Sequence, residues 1–389
     1  MSGRWKSVWR AAQIVPSVAI LVLCASPTAT ARQIGASLQG DELLVELQRQ
    51  DGGAETAGIY CWKRGDKALR KVITFGRCPR WSPSRRAFAF DLGMETWIVE
   101  LAEKRSRPIQ DVVTYLPDVT RFHDPSSQYS SILWHPSEDY LIRWRPSSNA
   151  KGLTWPVFMP EMLRIARDFP RIAPLLSPDS GLSIGRVSFS PEGDIAYERF
   201  AHAWDGSDSK PSIWIRPVMS DASPLIEAND TSACLNPLWA PGGMSLAVDC
   251  VGKAGGSRQT HVYDGDLQQS RPIPFVVKDW DDWMQGVEWS PDGNRLLVVV
   301  GPGRGLARRR LHAVEVPSEG PPKIGQELGM HPVVYDARWS PSGQEVAILG
   351  GQETLIGNER SPEIIVVASD GAISRVQYPG HLRATAIDW

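Results

Sequence analysis

Asp281, His331 and His381 stand fifty residues apart, and each lies eight residues before a tryptophan. One carboxylate and two imidazoles form a workable ligand set for zinc or another transition metal. Equal spacing puts the three residues at equivalent places in successive repeats. If those repeats stack as sheets about 10 Å apart, the side chains must lean inward together to reach one metal at about 2.1 Å. The pattern is compatible with a metal site, but three unrelated loop residues are the favoured interpretation.

The segment around Asp281 is also rich in tryptophan and aspartate. Asp279, Trp280, Asp281, Asp282 and Trp283 follow one another in the sequence. Two tryptophans cannot both be fully buried beside three carboxylates, and tryptophan is enriched at the energetic centres of protein interfaces. We therefore expect this segment to form part of a partner-binding surface, with packing against a neighbouring repeat as the alternative.

Two cysteines are expected to pair. If residues 241–243 form a three-residue hairpin loop, Cys234 lies opposite Cys250 on the adjacent strand. This register predicts a disulfide between them at a hydrogen-bonded pair of strand positions. Cys61 and Cys78 belong to different repeats, which makes them a weaker candidate pair.

No catalytic residue is predicted. Ser183 lies in a G-x-S-x-G sequence, but a nucleophile elbow requires a strand, a sharp turn and a helix, whereas this segment leads directly into a strand. Residues 160–170, "PEMLRIARDFP", carry apolar side chains loosely on one face and suggest a short inserted helix.

A repeated strand–turn–strand sequence motif, called the phrase below, must position these residues. Its clearest copy is "VEWSPDGNRL" at 287–296, in which Pro presets φ and Gly adopts the left-handed conformation that closes the turn. An aromatic anchor ends the first strand of each copy, at Trp81, Trp134, Phe189, Trp239, Trp289, Trp339 and Trp389. Arg85 and Glu138 replace the turn glycine in two copies, which predicts strained or differently shaped turns there. A period near fifty residues predicts an all-β propeller.

The two ends of the repeat array complete one another. Residues 37–49 match the part of the phrase after the anchor, and 384–389, "ATAIDW", match the part before it. Joined, they supply one blade and remove an open sheet edge. We expect seven blades, with six or eight as alternatives.

The phrase "WSPDG" followed by an apolar strand resembles the WD40-like (PD40) repeats of the TolB β-propeller family. The same phrase occurs in the propellers of prolyl-oligopeptidase-like enzymes. The resemblance covers residues 33 to 389 and implies a propeller fold and a place in the bacterial cell envelope. TolB-type proteins usually have six blades, whereas seven are counted here.

The N-terminus has the pattern of a secretory signal peptide, which we assign to residues 1–31. Basic residues come first, an apolar run spans 11–25, and an A-x-A sequence precedes Arg32. The run is short for a membrane span. Leu23 before Cys24 is too bulky for the usual lipoprotein signal, so lipid anchoring is not expected. Residues 32–389 are then one exported propeller domain, periplasmic or secreted.

Two classes of function remain. The net charge of −2 gives no reason to expect a nucleic-acid partner. We favour a monomeric scaffold that binds a protein or peptide in the envelope and needs neither catalytic group nor cofactor. The alternative is a ligand- or metal-binding propeller, of a hydrolase or lyase kind, with its site at the channel mouth.

Overall fold

The computed structural model describes residues 38–49, 58–92, 95–103, 105–109, 112–115, 120–121, 132–146, 157–165, 182–201, 211–217, 221–226, 233–251, 258–275, 282–302, 309–331, 333–351 and 362–389. All regular elements in these ranges are β-strands. A search of the same residues found no helix long and apolar enough to cross a membrane.

The repeated turn is built as its residue types predict. Ser290 N–H donates to the Arg295 carbonyl, and Gly293 N–H donates to the Ser290 carbonyl. The Ser290 hydroxyl accepts from Arg295 N–H at 2.9 Å. Gly293 has a φ of 71°, the left-handed conformation that favours glycine. Each such turn joins the innermost strand of a blade to its second strand.

Seven antiparallel blades form a ring, which confirms the predicted fold. The strands are listed here from the centre of each blade outward. Blade 1 contains β29 (Leu382–Asp388), β1 (Leu43–Arg49), β2 (Gly58–Trp62) and β3 (Arg70–Ile73). Blade 2 contains β4 (Arg77–Trp81), β5 (Ala87–Leu92), β6 (Glu95–Glu100) and β7 (Arg105–Pro108). Blade 3 contains β10 (Ile132–Trp134), β11 (Tyr140–Pro146) and β12 (Val157–Arg164). Its two outer strands, β8 (Val112–Tyr115) and β9 (Thr120–Arg121), both pair with β12.

The remaining four blades follow the chain in order. Blade 4 contains β13 (Leu182–Phe189), β14 (Ile195–Ala201), β15 (Ser212–Arg216) and β16 (Ser223–Ile226). Blade 5 contains β17 (Ala233–Trp239), β18 (Ser245–Val251), β19 (Arg258–Asp264) and β20 (Ser270–Pro272). Blade 6 contains β21 (Asp282–Trp289), β22 (Arg295–Pro302), β23 (Arg309–Glu315) and β24 (Lys323–His331). Blade 7 contains β25 (Val333–Trp339), β26 (Glu345–Gly351), β27 (Glu363–Ala368) and β28 (Ile373–Val376).

Blade 1 is closed by both ends of the repeat array, as predicted. The C-terminal strand β29 is its innermost strand and pairs antiparallel with β1, with Leu44 opposite Asp388 and Arg49 opposite Leu382. The pairing removes the free inner edge of β1 and joins the two ends of the ring.

Blade 3 departs from the expected pattern. The outer strands β8 and β9 precede the innermost strand in the sequence, so this blade takes its outer edge from upstream residues. The helix expected over 160–170 is wrong for 160–164, because that segment belongs to β12 and pairs with β11 along its whole length. The remainder, 166–170, lies outside the described residues.

The hydrophobic core lies between the blades. The buried apolar residues among those described form seven clusters, and each cluster combines side chains from two neighbouring blades. Six anchors, Trp81, Trp134, Trp239, Trp289, Trp339 and Trp389, lie in the cluster shared with the preceding blade. The anchor tryptophan is therefore the side chain that fills the space between blades.

Candidate functional site

Charged side chains collect on the innermost strands of four consecutive blades. The residue before the anchor is Glu288 in blade 6, Arg338 in blade 7, Asp388 in blade 1 and Arg80 in blade 2. Asp336, two residues before Arg338, adds a third carboxylate. Innermost strands surround the central axis of a propeller, so this group of five, the channel cluster, is the first candidate site.

Ion pairs connect the channel cluster across blade boundaries. Arg80 Nη1 lies 2.9 Å from Asp388 Oδ1, and Arg80 Nη2 lies 3.7 Å from Asp336 Oδ2. The second pair joins blades 2 and 7, which are not neighbours, so it reaches across the inner surface of blade 1. Arg338 contacts Asp336 at 3.1 Å and Glu288 at 3.3 Å. Each charged group in the cluster therefore has an oppositely charged partner.

The pKa values reflect this pairing. Burial alone would lower the pKa of Arg338, but the carboxylates of Asp336, Glu288 and Asp388 outweigh it and raise that pKa above its ordinary value. Burial raises the pKa of Glu288, and the Arg338 guanidinium opposes that rise. The Arg338 guanidinium is thus stabilised in its charged form by the carboxylates around it.

Arg85 differs from the channel cluster. It occupies the turn position of Gly293 in blade 2, with a φ of 61°. Its Nη1 is buried with no hydrogen-bond partner among the described residues. Burial lowers the pKa of its guanidinium, while Asp388 and Glu288 act to raise it. The expected strain at this turn is confirmed by the positive φ, and the turn keeps the glycine-like conformation instead of changing shape.

At five blade boundaries, the residue before the anchor also determines how one blade is bonded to the next. Where this residue has an acceptor side chain, it accepts from the main-chain N–H of the next anchor. Asp388 accepts from Trp81 N–H at 2.6 Å, and Glu288 accepts from Trp339 N–H at 2.7 Å. The hydroxyl of Ser188 accepts in the same way from the main chain of the blade 5 anchor.

At two boundaries where the residue before the anchor has no acceptor side chain, the next anchor donates its indole N–H to the main-chain carbonyl of that residue. The indole of Trp134 donates to the main-chain carbonyl of Arg80 at 3.0 Å, and the indole of Trp289 donates to that of Leu238 at 2.8 Å. The indole N–H groups of Trp239 and Trp339, whose main chains are already held by side chains, have no acceptor among the described residues. One side chain thus sets the bonding pattern of each of these boundaries.

A second buried polar group lies where blades 4, 5 and 6 meet. Asn236 donates to Asp249 at 2.6 Å and to the Gly286 carbonyl at 2.7 Å. Asp249 is fully buried and also accepts from the Thr260 hydroxyl and the Arg258 guanidinium. Every carboxylate oxygen here is satisfied, which makes the group a brace between blades instead of an open site.

Sequence reasoning missed these bracing carboxylates, although a signal was present. Glu46 and Glu198 accept main-chain N–H groups of Cys78 and Asn236, which have positive φ at bulges in the next innermost strand. The bracing position on the second strand repeats around the ring as Glu46, Asp91, Trp144, Glu198, Asp249, Val299 and Leu349. A buried strand that carries a charged residue at a fixed repeat position is the feature that could have revealed the brace.

The predicted metal triad is placed only in part. His381 is exposed and directly precedes β29, and His331 is the last residue of β24, just before β25. Both therefore lie at the entry to innermost strands of consecutive blades. Asp281 lies outside the described residues. A search of the described residues found no group of three or more His, Cys, Asp or Glu side chains able to hold a metal.

The structure likewise describes only part of the predicted partner-binding segment. Asp279, Trp280 and Asp281 lie outside the described residues, whereas Asp282 and Trp283 begin the innermost strand β21. Trp283 lies opposite Gly301 and forms a parallel bridge with Arg258 of blade 5. The described part of the segment is therefore strand.

Cys234 and Cys250 lie opposite one another on β17 and β18, and the structure joins them in a disulfide. Their Cα atoms are 4.1 Å apart, which is close to the spacing of a non-hydrogen-bonded pair. Cys234 N–H donates to the Pro211 carbonyl, not to the opposite strand. The expected hydrogen-bonded pair of positions is therefore wrong. Ala240 N–H bonds the Ser245 carbonyl, so the loop has four residues, and the bulge between Leu235 and Leu238 restores the pairing.

Two other candidates came from the sequence: the weaker cysteine pair, Cys61 and Cys78, and the serine of the G-x-S-x-G sequence, Ser183. Neither Cys61 nor Cys78 forms a disulfide within the described part of the chain. Burial, assisted by the neighbouring Glu42 carboxylate, raises the pKa of Cys61 to about 12. Ser183 lies within β13 opposite Phe200, so the strand–turn–helix geometry of a nucleophile elbow is not present there.

Comparisons with known proteins identify the fold. No family model matches the sequence, and no curated protein matches it either. Among solved structures, a prolyl endopeptidase superposes with a TM-score of 0.54 at 11% identity, covering 90% of this chain and 53% of that one. An oligogalacturonate lyase from Vibrio parahaemolyticus gives 0.51 at 9% identity, covering 85% and 84%.

TolB from Acinetobacter baumannii gives a TM-score of 0.47 at 14% identity, covering 90% of this chain and 66% of that one. This chain therefore spans just under two thirds of the length of that TolB and about half of the prolyl endopeptidase chain. At these identities the likeness concerns architecture alone, and it agrees with the blade topology described above: the chain is a seven-bladed β-propeller.

Proposed function

We propose that the protein is an exported, TolB-like propeller that acts as an interaction scaffold for a protein or peptide in the cell envelope. The observation that carries the proposal is the internal pairing of the channel cluster. Arg80 pairs with Asp336 and Asp388, and Arg338 pairs with Asp336 and Glu288. Groups held in this way support a rigid ring and are not available for acid–base work or for a ligand.

The rigidity of the ring supports a scaffold role. Core clusters join neighbouring blades all around the ring, and the blade boundaries are further fixed by hydrogen bonds from anchor residues. A rigid frame that presents many loops at its two faces is suited to binding a partner over a broad surface. Export is supported by the signal-peptide pattern at 1–31, and the envelope location by the resemblance of "WSPDG" to TolB-type repeats.

The segment 279–283 is the partner surface that we propose. Asp282 and Trp283 begin β21, so the described end of this segment is the start of an innermost strand. Aromatic side chains at such a place are suited to serve as interface anchors.

The test is cross-linking and affinity capture from envelope extracts with the mature chain, followed by identification of the captured protein and reconstitution from purified components. Trp283→Ala should weaken the reconstituted complex, whereas Trp97→Ala, which removes a half-buried tryptophan from blade 2, should not. Failure to reconstitute any complex, or a protein retained in the cytoplasm on fractionation, would overturn the proposal.

A second candidate is a ligand- or metal-binding propeller with its site at the channel mouth. It is favoured by one observation: His331 and His381 both stand at the entry to consecutive innermost strands. Elemental analysis of the purified mature protein after reconstitution with zinc, with His381→Ala as the control, tests it. A stoichiometric metal that the variant loses would support this candidate, and no metal in the wild-type protein would remove it.

A further inference from the structure

A cleft of about 160 Å³ opens between blades 6 and 7. Blade 6 contributes one wall through β23 and β24, and blade 7 contributes the other through β26 and β27. The lining is apolar at Ala313, Leu328, Val346 and Val367, and polar at Arg295, Glu315, Gln326, Gln344 and Ser369, with Trp339 between the two.

In blade 6, the third strand carries a smaller residue beside the cleft than the other blades carry at the same position. Ala313 lies opposite Leu297 on β22, and the equivalent residues of the other blades are Cys61, Ile98, Met162, Ile215, Val262 and Val366. Gly325 lies beside Ala313 on the outer strand, so close that a Cβ there would clash with the Ala313 carbonyl.

At the boundary between blades 5 and 6, an arginine occupies the corresponding space. There the outer strand carries Arg271, opposite Val262, and its guanidinium donates to the carbonyls of Pro317 and Gly320 in blade 6. At the corresponding place beside Ala313, blade 6 has Gly325 and no side chain that could reach blade 7. The cleft therefore follows from sequence differences at two positions.

The volume of the cleft indicates its occupant. Pockets for drug-sized ligands are typically about 300–1,000 Å³, whereas an apolar cavity of about 150 Å³ accommodates a benzene ring. A cleft of about 160 Å³ thus fits a single aromatic ring and little more. That is the size of one phenylalanine or tyrosine side chain.

The polar lining suits an aromatic ring at the same place. The guanidinium of Arg295 lies over the Trp339 ring, 4.5 Å from its centroid, and is held there by a bond of 2.7 Å to the Gly343 carbonyl. This gives the cleft a flat, preformed cationic and aromatic surface. The Trp339 indole N–H has no acceptor among the described residues, so a hydroxyl that reached it would satisfy a buried donor.

An exposed apolar residue continues the cleft toward the outer edge of blade 7. Ile373 is 64% exposed and lies opposite Val367, which lines the cleft, so the two share a face of the sheet. Its strand β28 is the outermost strand described in blade 7, with one edge unpaired within the described sheet. An extended segment could lie along this edge and direct a side chain into the cleft.

We propose that the cleft between blades 6 and 7 receives one phenylalanine or tyrosine side chain from an extended segment of a partner polypeptide. The inference rests on the proposed scaffold function and adds a specific anchor pocket to it. The walls bury the ring, Arg295 and Trp339 contact it, and Ile373 supports the neighbouring residue of the segment.

The first experiment uses p-cresol, the side chain of tyrosine, as the probe. Saturation-transfer NMR with the mature wild-type protein should detect saturable binding, and N-acetyltyrosine amide should compete with it. Ala313→Ile places in the cleft the residue type that blade 2 has at the equivalent position. It should weaken p-cresol binding by about tenfold or more without lowering the melting temperature.

A matched pair of surface variants tests the edge of the site. Ile373→Ser should weaken the binding of a tyrosine-containing peptide of five residues, whereas Ile324→Ser should not. Ile324 is also exposed on an outer strand but lies opposite Val314, whose core cluster faces blade 5. Equal effects of the two substitutions would contradict the proposed position of the segment.

The results separate this inference from the scaffold proposal. Absence of saturable p-cresol binding, or binding that Ala313→Ile leaves unchanged, overturns the pocket whatever partner is found. A partner complex that forms equally well with Ala313→Ile also overturns the pocket and leaves the scaffold proposal standing. Saturable ring binding without any partner complex would overturn the scaffold function, and with it the assignment of a polypeptide ligand.

Discussion

Asp388 should be the side chain whose loss most weakens the closure of the ring. It stands at the end of β29, and its carboxylate accepts from Arg80 Nη1 at 2.9 Å and from Trp81 N–H at 2.6 Å. Both partners belong to blade 2, and all three residues are less than one tenth exposed. Replacement by alanine therefore leaves a buried guanidinium and a buried amide without their acceptor.

The cost can be estimated from these contacts. A buried amide without an acceptor costs about 1–3 kcal/mol, and breaking a buried ion pair by removing one partner costs about 3–5 kcal/mol in total. Arg80 keeps a bond of 2.8 Å to the Ile387 carbonyl and a weaker contact with Asp336. The lower end applies, so we expect Asp388→Ala to lower the free energy of unfolding by about 3 kcal/mol. Asp388→Asn retains an acceptor and should cost about 1 kcal/mol.

Urea unfolding followed by tryptophan fluorescence measures both values, with Asp221→Ala as an exposed control. A double-mutant cycle with Arg80→Leu should show a coupling free energy of at least about 1 kcal/mol between Arg80 and Asp388. If Asp388→Ala costs no more than the Asp221→Ala control, the pairing in the channel does not hold the ring closed.

Four further results are expected. Deletion of residues 384–389 exposes an edge of β1 and should lower the melting temperature sharply or cause aggregation; an unchanged melting point contradicts closure. Arg85→Gly should stabilise the fold by about 1 kcal/mol in urea unfolding, because glycine relieves the positive φ. Glu138→Gly should give no such gain, because its carboxylate accepts two hydrogen bonds from the neighbouring turn. Cys61 should resist alkylation at pH 8 until the protein unfolds, because its pKa is raised to about 12; rapid alkylation of the native protein contradicts its burial. Non-reducing peptide mapping should recover the disulfide between β17 and β18, and two free thiols there would exclude it.

The blade count was predictable because each blade repeats the same local turn. Pro and Gly at fixed places in "WSPDG" determine a hairpin wherever they occur, so the number of phrases gives the number of blades. Blade 3 was less predictable, since its outer strands come from residues upstream of its anchor. Strand order within a sheet depends on packing between distant segments, which a local pattern does not contain.

The disulfide was expected from a loop length and an unbroken strand register that both differ from those in the structure. The loop after Ala240 is one residue longer than its Pro-Gly-Gly sequence suggests, and the bulge at Asn236 offsets that residue. Asn236 has a φ of 59° and is held by Glu198 and Asp249. Because those partners lie on other strands, the bulge could not be inferred from the sequence near the cysteines.

The channel cluster was missed for a related reason. Four of its five members directly precede an anchor, but each member pairs with a residue about fifty or more positions away. Alignment of the repeats shows the charges, and only the ring shows that opposite charges become neighbours.

The bonding between anchors has a consequence for how such a ring can be rebuilt by recombination. The side chain of Glu288 in one blade holds the main chain of Trp339 in the next, and Asp388 and Ser188 do the same at their own boundaries. A graft of one blade alone separates such a pair wherever its boundary crosses one of these bonds. The smallest cassette that carries an intact pair spans two consecutive blades, so chimeras that exchange blades in pairs should keep more native contacts than single-blade exchanges.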